Sequence, residues 1–77
     1  MNENQLHQII SYSIFRVIEL CFDQGVTTTW RDIYLFLRFP KHFWEDDEDL
    51  DSKIIVKSKD ELEMMREMLI SRFTTKH

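Results

Sequence analysis

Six carboxylates within seven residues, Glu45, Asp46, Asp47, Glu48, Asp49 and Asp51, form the densest group of chemistry-bearing side chains in the sequence. Such a run can do one of two things. It can ligate a hard cation, which needs six or more oxygens converging on one point. Or it can present a negative field to a basic partner, steering association more than adding affinity. Phe43 and Trp44 stand immediately before the run, and aromatic anchors rimmed by charge are how protein interfaces are built. The sequence therefore predicts a partner-binding segment comprising Phe43, Trp44, Glu45, Asp46, Asp47, Glu48, Asp49 and Asp51. The competing reading is a solvated loop.

The cation reading rests on spacing. Asp47, Asp49 and Asp51 fall at positions 1, 3 and 5 of a calcium loop and Ile54 at its hydrophobic position 8, so this stretch resembles an EF-hand loop in part. Ser52 stands where that loop needs glycine, and Ser58 where it needs the bidentate glutamate, which removes two oxygen ligands. His7, His42 and His77 are scattered. His42 with Glu45 or Asp46 makes only a two-ligand corner, and a metal site needs a third protein ligand. Cys21 is the single cysteine, so no internal disulfide can form, and no histidine nearby in sequence would activate it as a nucleophile. One glycine rules out a glycine-rich phosphate loop. The sequence thus predicts a non-enzyme with no cofactor and no metal.

These residues must be positioned by helices. The chain has 77 residues, 43% of them hydrophobic, with one glycine and one proline, which disfavours disorder and an all-β fold alike. A helix is expected over 4–24, with Asn2 or Asn4 as N-cap and Gly25 at the left-handed position that ends it. On a helical wheel Leu6, Ile9, Ile10, Ile14, Val17, Leu20 and Cys21 form one broad face, read as core. Phe15, Ile18 and Phe22 form a second face, assigned to self-association as a two-fold dimer. Val26 to Thr28 reads as a short strand, and Thr29 to Asp32 as a capping box opening a second helix, 30–38. Pro40 stops that helix and opens a short helical segment over 41–45. Lys53 to Lys57 is a β-branched run that reads as a strand, paired either with 26–28 or across a dimer. Ser58 to Glu61 is a second capping box, opening a helix over 59–73 whose core stripe is Leu62, Met65, Leu69 and Phe73. Residues 74–77 are expected to fray. The fold class is mainly α (α-rich α+β): a single three-helix domain, 1–77, with a short aromatic-acidic segment and one or two short strands.

The first helix, the Gly25-Val-Thr-Thr-Thr turn and Trp30-Arg-Asp-Ile-Tyr resemble the opening of a helix-turn-helix or winged-helix domain, over about a third of the chain. That resemblance implies a transcriptional regulator that binds DNA. However, 41–51, in the place of a recognition helix, carries acids where phosphate contacts demand bases, and Arg31, Arg38 and Lys41 form only a small basic cluster.

The formal net charge of −4 weighs against bare nucleic acid and membrane surfaces. The apolar stretch 9–22 is broken by Ser11, Ser13, Arg16 and Glu19, so no membrane span is expected. No basic region of a signal peptide opens the chain, and the expected location is the reducing cytoplasm. The sequence reads as a small acidic modulator or inhibitor that docks on the basic surface of a larger protein, such as a nucleic-acid-processing enzyme. Class-level analogy extends this to a phage or mobile-element anti-defence factor.

Overall fold

The computed structural model describes residues 3–74. Asn2 and residues 75–77, His77 included, lie outside the described residues, and with them the Asn2 cap and most of the expected frayed tail. Three helices and one two-stranded antiparallel sheet follow in the order α1 (Glu3–Gln24), β1 (Thr28–Thr29), α2 (Trp30–Phe36), a 3-10 turn (Lys41–Phe43), β2 (Lys53–Ile54) and α3 (Lys59–Thr74). The mainly α class with a small sheet is therefore the fold of this chain. Asn4 is already helical, because α1 begins one residue earlier.

Both α1 and α2 end in the same closure. At the end of α1, Gly25 takes φ 68°. Val26 N–H donates to the Cys21 carbonyl at 2.9 Å and Gly25 N–H to Phe22 at 3.2 Å. This satisfies carbonyls the helix end would leave orphaned. At the end of α2, Arg38 takes the left-handed role with φ 59°, while Phe39 N–H reaches the Tyr34 carbonyl at 3.1 Å and Arg38 N–H that of Leu35 at 3.2 Å. Pro40 explains why a residue as unsuited as arginine sits there. Phe39 precedes proline and is pushed to extended geometry, so the chain must reverse one residue sooner. This is why α2 stops at Phe36 and not at Arg38.

The strands are shorter than their β-branched runs. Thr28 pairs with Ile54 and Thr29 with Lys53, so the pairing lies within the chain but is displaced from 26–28 against 54–56. The cap of α1 is the cause, since Val26 has already given its N–H to Cys21. Thr29 then caps α2, its hydroxyl accepting from Asp32 N–H at 3.2 Å. Ser58 does the same for α3, accepting from Glu61 N–H at 3.2 Å. Thus β1 and β2 bracket α2 and the acidic segment and return the chain to α3, which packs along α1.

The core corrects the reading of α1. Ile10 and Ile14 are buried as expected, but so are Phe15 and Ile18, with Phe22 half-buried against them. Phe15, Ile18 and Phe22, assigned to self-association, are therefore internal. Leu6, Ile9 and Leu20, assigned to the core, are each about half exposed (48%, 49% and 50%). The apolar residues of α1 occupy so much of the wheel that α3 had two faces to choose between. It took the side on which Phe15, Leu62 and Leu69 are buried in one cluster and on which the Arg66 guanidinium lies 6.0 Å from the Phe15 ring. On α3 the expected stripe holds: Leu62 and Leu69 are buried, Met65 and Phe73 half-buried, while Ile70, Met64 and Met68 remain exposed.

Candidate partner-docking site

The segment from Phe39 to Asp51 divides into an inward and an outward half. Tyr34, 1% exposed, is the pivot of the inward half. Its ring stacks on Trp44 (centroids 5.6 Å, planes 14° apart) and on Trp30 (6.4 Å), and tilts against Phe39 (6.0 Å). Trp44 is buried and its Nε1 donates to the Phe39 carbonyl at 3.1 Å. Trp44 is thus a core residue, and its assignment to a partner surface is corrected. The chain turns inward there because the 3-10 turn after Pro40 carries Trp44 back under α2, with Phe43 N–H held by the Pro40 carbonyl at 2.9 Å.

The acidic run is anchored at three points. The Asp47 carboxylate accepts from the Tyr34 hydroxyl (3.4 Å), from Arg72 Nη2 and, through Oδ1, from Asp49 N–H (2.8 Å). Arg72 comes from α3, and its guanidinium also lies over the Trp30 ring, 4.6 Å from the centroid. Leu50 is buried, and its carbonyl takes the Arg31 N–H at 2.9 Å, one of the first-turn donors of α2. Arg31 then grips Asp51 in a two-point bond of 2.9 and 3.3 Å. Asp47, 12% exposed, therefore belongs to the fold first, and its assignment to a partner surface is corrected, whereas Asp51 keeps 79% of its side chain in water while it pairs with Arg31. Asp49 is exposed but lies 3.8 Å from Arg72.

These anchors also act on the positions of the calcium-loop resemblance. Asp47 and Asp49 are drawn to Arg72 while Asp51 is drawn to Arg31, away from the other two. Among the described residues no three His, Cys, Asp or Glu side chains stand close enough to hold a metal ion. In the place of a recognition helix, 41–51 forms a 3-10 turn and a loop. No described helix is long and apolar enough to cross a membrane.

Burial and hydrogen bonding shift two sets of groups. Burial pushes the Tyr34 phenol up to about 12; nearby Arg72 pulls it back and Asp47 adds to the rise. The Arg31–Asp51 hydrogen bond, helped by their mutual attraction, lowers the Asp51 carboxyl and raises the Arg31 guanidinium. The tyrosine gives a measurable pH dependence. Below pH 10 the phenol is protonated in both states and its stabilising contribution is fully present. Above 10 the unfolded chain loses a proton that the folded chain keeps until about 12, so stability falls with rising pH. Urea unfolding at about pH 8 and about pH 11 should show wild type losing about 1 kcal/mol more than Tyr34→Phe over that interval. Parallel losses in the two proteins would contradict this.

Phe43, 41% exposed, also faces solvent, with Glu45, Asp46 and Glu48 just after it. None of these three carboxylates forms an ion pair or side-chain hydrogen bond with a described residue. The Phe43 ring is held from behind by Phe39 (5.5 Å) and Phe73 (6.0 Å, planes 7° apart). That backing fixes its orientation while leaving one side open. Reading the sequence missed Arg72 as the organiser. Its only signal was a lone arginine in the last turn of α3, where a cation suits the helix dipole anyway. Compared with known family models, curated proteins and solved structures, the chain matches none.

Proposed function

We propose that this chain is a non-catalytic binding module that modulates or inhibits a larger protein by docking on its basic surface. The supporting observation is the outward half of the segment: a rigidly backed, open Phe43 ring beside Glu45, Asp46 and Glu48, three carboxylates with no ion-pair partner among the described residues. Carboxylates that serve the fold are neutralised by arginines, and these three are not. A preoriented aromatic loses little entropy on binding, and a charged rim steers encounter. Self-association belongs to the same reading, through a different face of α1 from the buried one.

The test uses the tagged chain to capture its partner, then measures kinetics with the purified pair. Phe43→Ala should weaken binding about tenfold or more, mostly through faster dissociation. Glu45→Gln, Asp46→Asn and Glu48→Gln together should slow association and flatten its salt dependence. Unchanged rate constants in both variants would defeat the proposal.

A further inference from the structure

Where α3 packs along α1, a cavity of about 350 Å³ opens between the two helices, lined in part by Gln8, Tyr12, Phe15, Arg66 and Ile70. Gln8 and Tyr12 also line a more open hollow that includes Ile9, so the two make one trough along α1. Phe15 and Ile9 lie about 9 Å apart along the helix, at 1.5 Å per residue. Ile9, Tyr12 and Ile70 are all exposed there. Among the described residues lining the trough, Arg66 is the only charged one. Its guanidinium lies over the Phe15 ring, 6.0 Å from the centroid. Arg16, Arg31 and Arg72 each hold a carboxylate, but Arg66 holds none among the described residues. Glu63 and Glu67, its neighbours on α3, line neither hollow.

We propose that this trough binds a free alkyl carboxylate of medium chain length, its head on Arg66 and its tail over Tyr12 toward Ile9. The head is chosen by charge. A guanidinium presents a planar fork of N–H donors that matches a carboxylate at two points. Stacking over Phe15 occupies a face of the guanidinium and leaves those edge donors free. A single cation suits a singly charged head, whereas a doubly charged phosphate would also meet the repulsion of Glu63 and Glu67, close to Arg66 in sequence. The tail is chosen by the wall. From Ile70 over the Tyr12 ring to Ile9 the trough is apolar but for the Gln8 amide. An alkyl chain covers that strip at no polar cost, while a peptide laid there would press unpaired backbone groups against it. Size agrees, since the cavity lies at the low end of the roughly 300 to 1,000 Å³ of small-molecule sites. The trough shares no residue with 39–51, so this site is separate from the docking surface proposed above.

Titrating the isotope-labelled full chain with octanoate should shift the Arg66 Nε–H and Tyr12 amide signals in its nuclear magnetic resonance spectrum. Octanoate should bind about tenfold or more tighter than butyrate, each half-buried methylene adding about twofold. It should also bind about tenfold or more tighter than octanol, which has the tail without the charge. Arg66→Gln, at an exposed position, should remove that preference for octanoate over octanol. Gln8→Glu, also exposed, should weaken octanoate about fivefold and leave octanol unchanged. Arg38→Gln alters another arginine without an ion pair among the described residues, but outside the trough, and should change nothing. Signals that stay still at millimolar octanoate overturn the site. Equal affinity for octanoate and octanol overturns the carboxylate assignment, and equal affinity for butyrate overturns the tail. Octanoate binding untouched by Arg66→Gln places the head elsewhere and overturns the proposal as well.

Discussion

Trp44→Ala should lose about 3 to 5 kcal/mol of folding free energy, the usual cost of truncating a large buried aromatic. Whole domains of this size are stable by only about 4 to 10 kcal/mol. The variant should therefore be largely unfolded at 37 °C or at modest urea, with its near-ultraviolet circular dichroism lost. The effect is large because Trp44 joins three parts of the chain. It stacks on Tyr34 from α2, its Nε1 ties off the Phe39 carbonyl that the α2 closure leaves free, and it lies in one cluster with Leu50 of the acidic loop. Trp44→Phe keeps the stack but leaves that carbonyl unpaired, so its expected loss is smaller, about 1 to 3 kcal/mol. A well-folded Trp44→Ala with an unchanged unfolding midpoint would show that the residue is not core.

The second large effect is expected at Asp47. Removing its carboxylate with Asp47→Ala strands the Tyr34 hydroxyl in the core and leaves Arg72 with only Asp49, at 3.8 Å. Breaking a fully buried ion pair costs about 3 to 5 kcal/mol. Arg72 keeps 29% of its side chain in water, against 12% for Asp47, so solvent recovers part of that cost. The expected loss is about 2 to 3 kcal/mol. Part of it reflects the loop itself, since Asp47 also holds its own turn through Asp49 N–H. The cost should persist in high salt, because a pair this enclosed is poorly screened. The exposed Arg31–Asp51 pair should by contrast weaken as salt is added.

Signals carried by local chemistry were legible in the sequence. Gly25, Thr29 and Ser58 each act within a few residues, so the end of α1 and the starts of α2 and α3 follow directly from residue type, whereas α2 ends two residues before the place Pro40 suggested. Choices made in three dimensions were not legible. α1 is apolar around most of its wheel, and only the approach of α3 decides that Phe15 and Ile18 go inside while Ile9 and Leu20 stay out. The acidic segment was found as a unit, but its division was hidden. Nothing in a string of carboxylates distinguishes Asp47 and Asp51 from Glu45, Asp46 and Glu48 until Arg72 and Arg31 arrive from distant positions. Trp44 was read as an anchor for a partner because it adjoins charge. Inside the fold it anchors the chain to itself.

Equilibrium urea unfolding of two proteins side by side tests that division most directly. One is Asp47→Ala, and the other carries Glu45→Gln, Asp46→Asn and Glu48→Gln together. If the inward carboxylate holds the fold and the outward three are free for a partner, the first loses about 2 to 3 kcal/mol. The triple variant should stay within about 0.5 kcal/mol of wild type, or gain slightly from relieved repulsion. A triple variant as unstable as Asp47→Ala would mean that the outward carboxylates also serve the fold, leaving no surplus charge for docking.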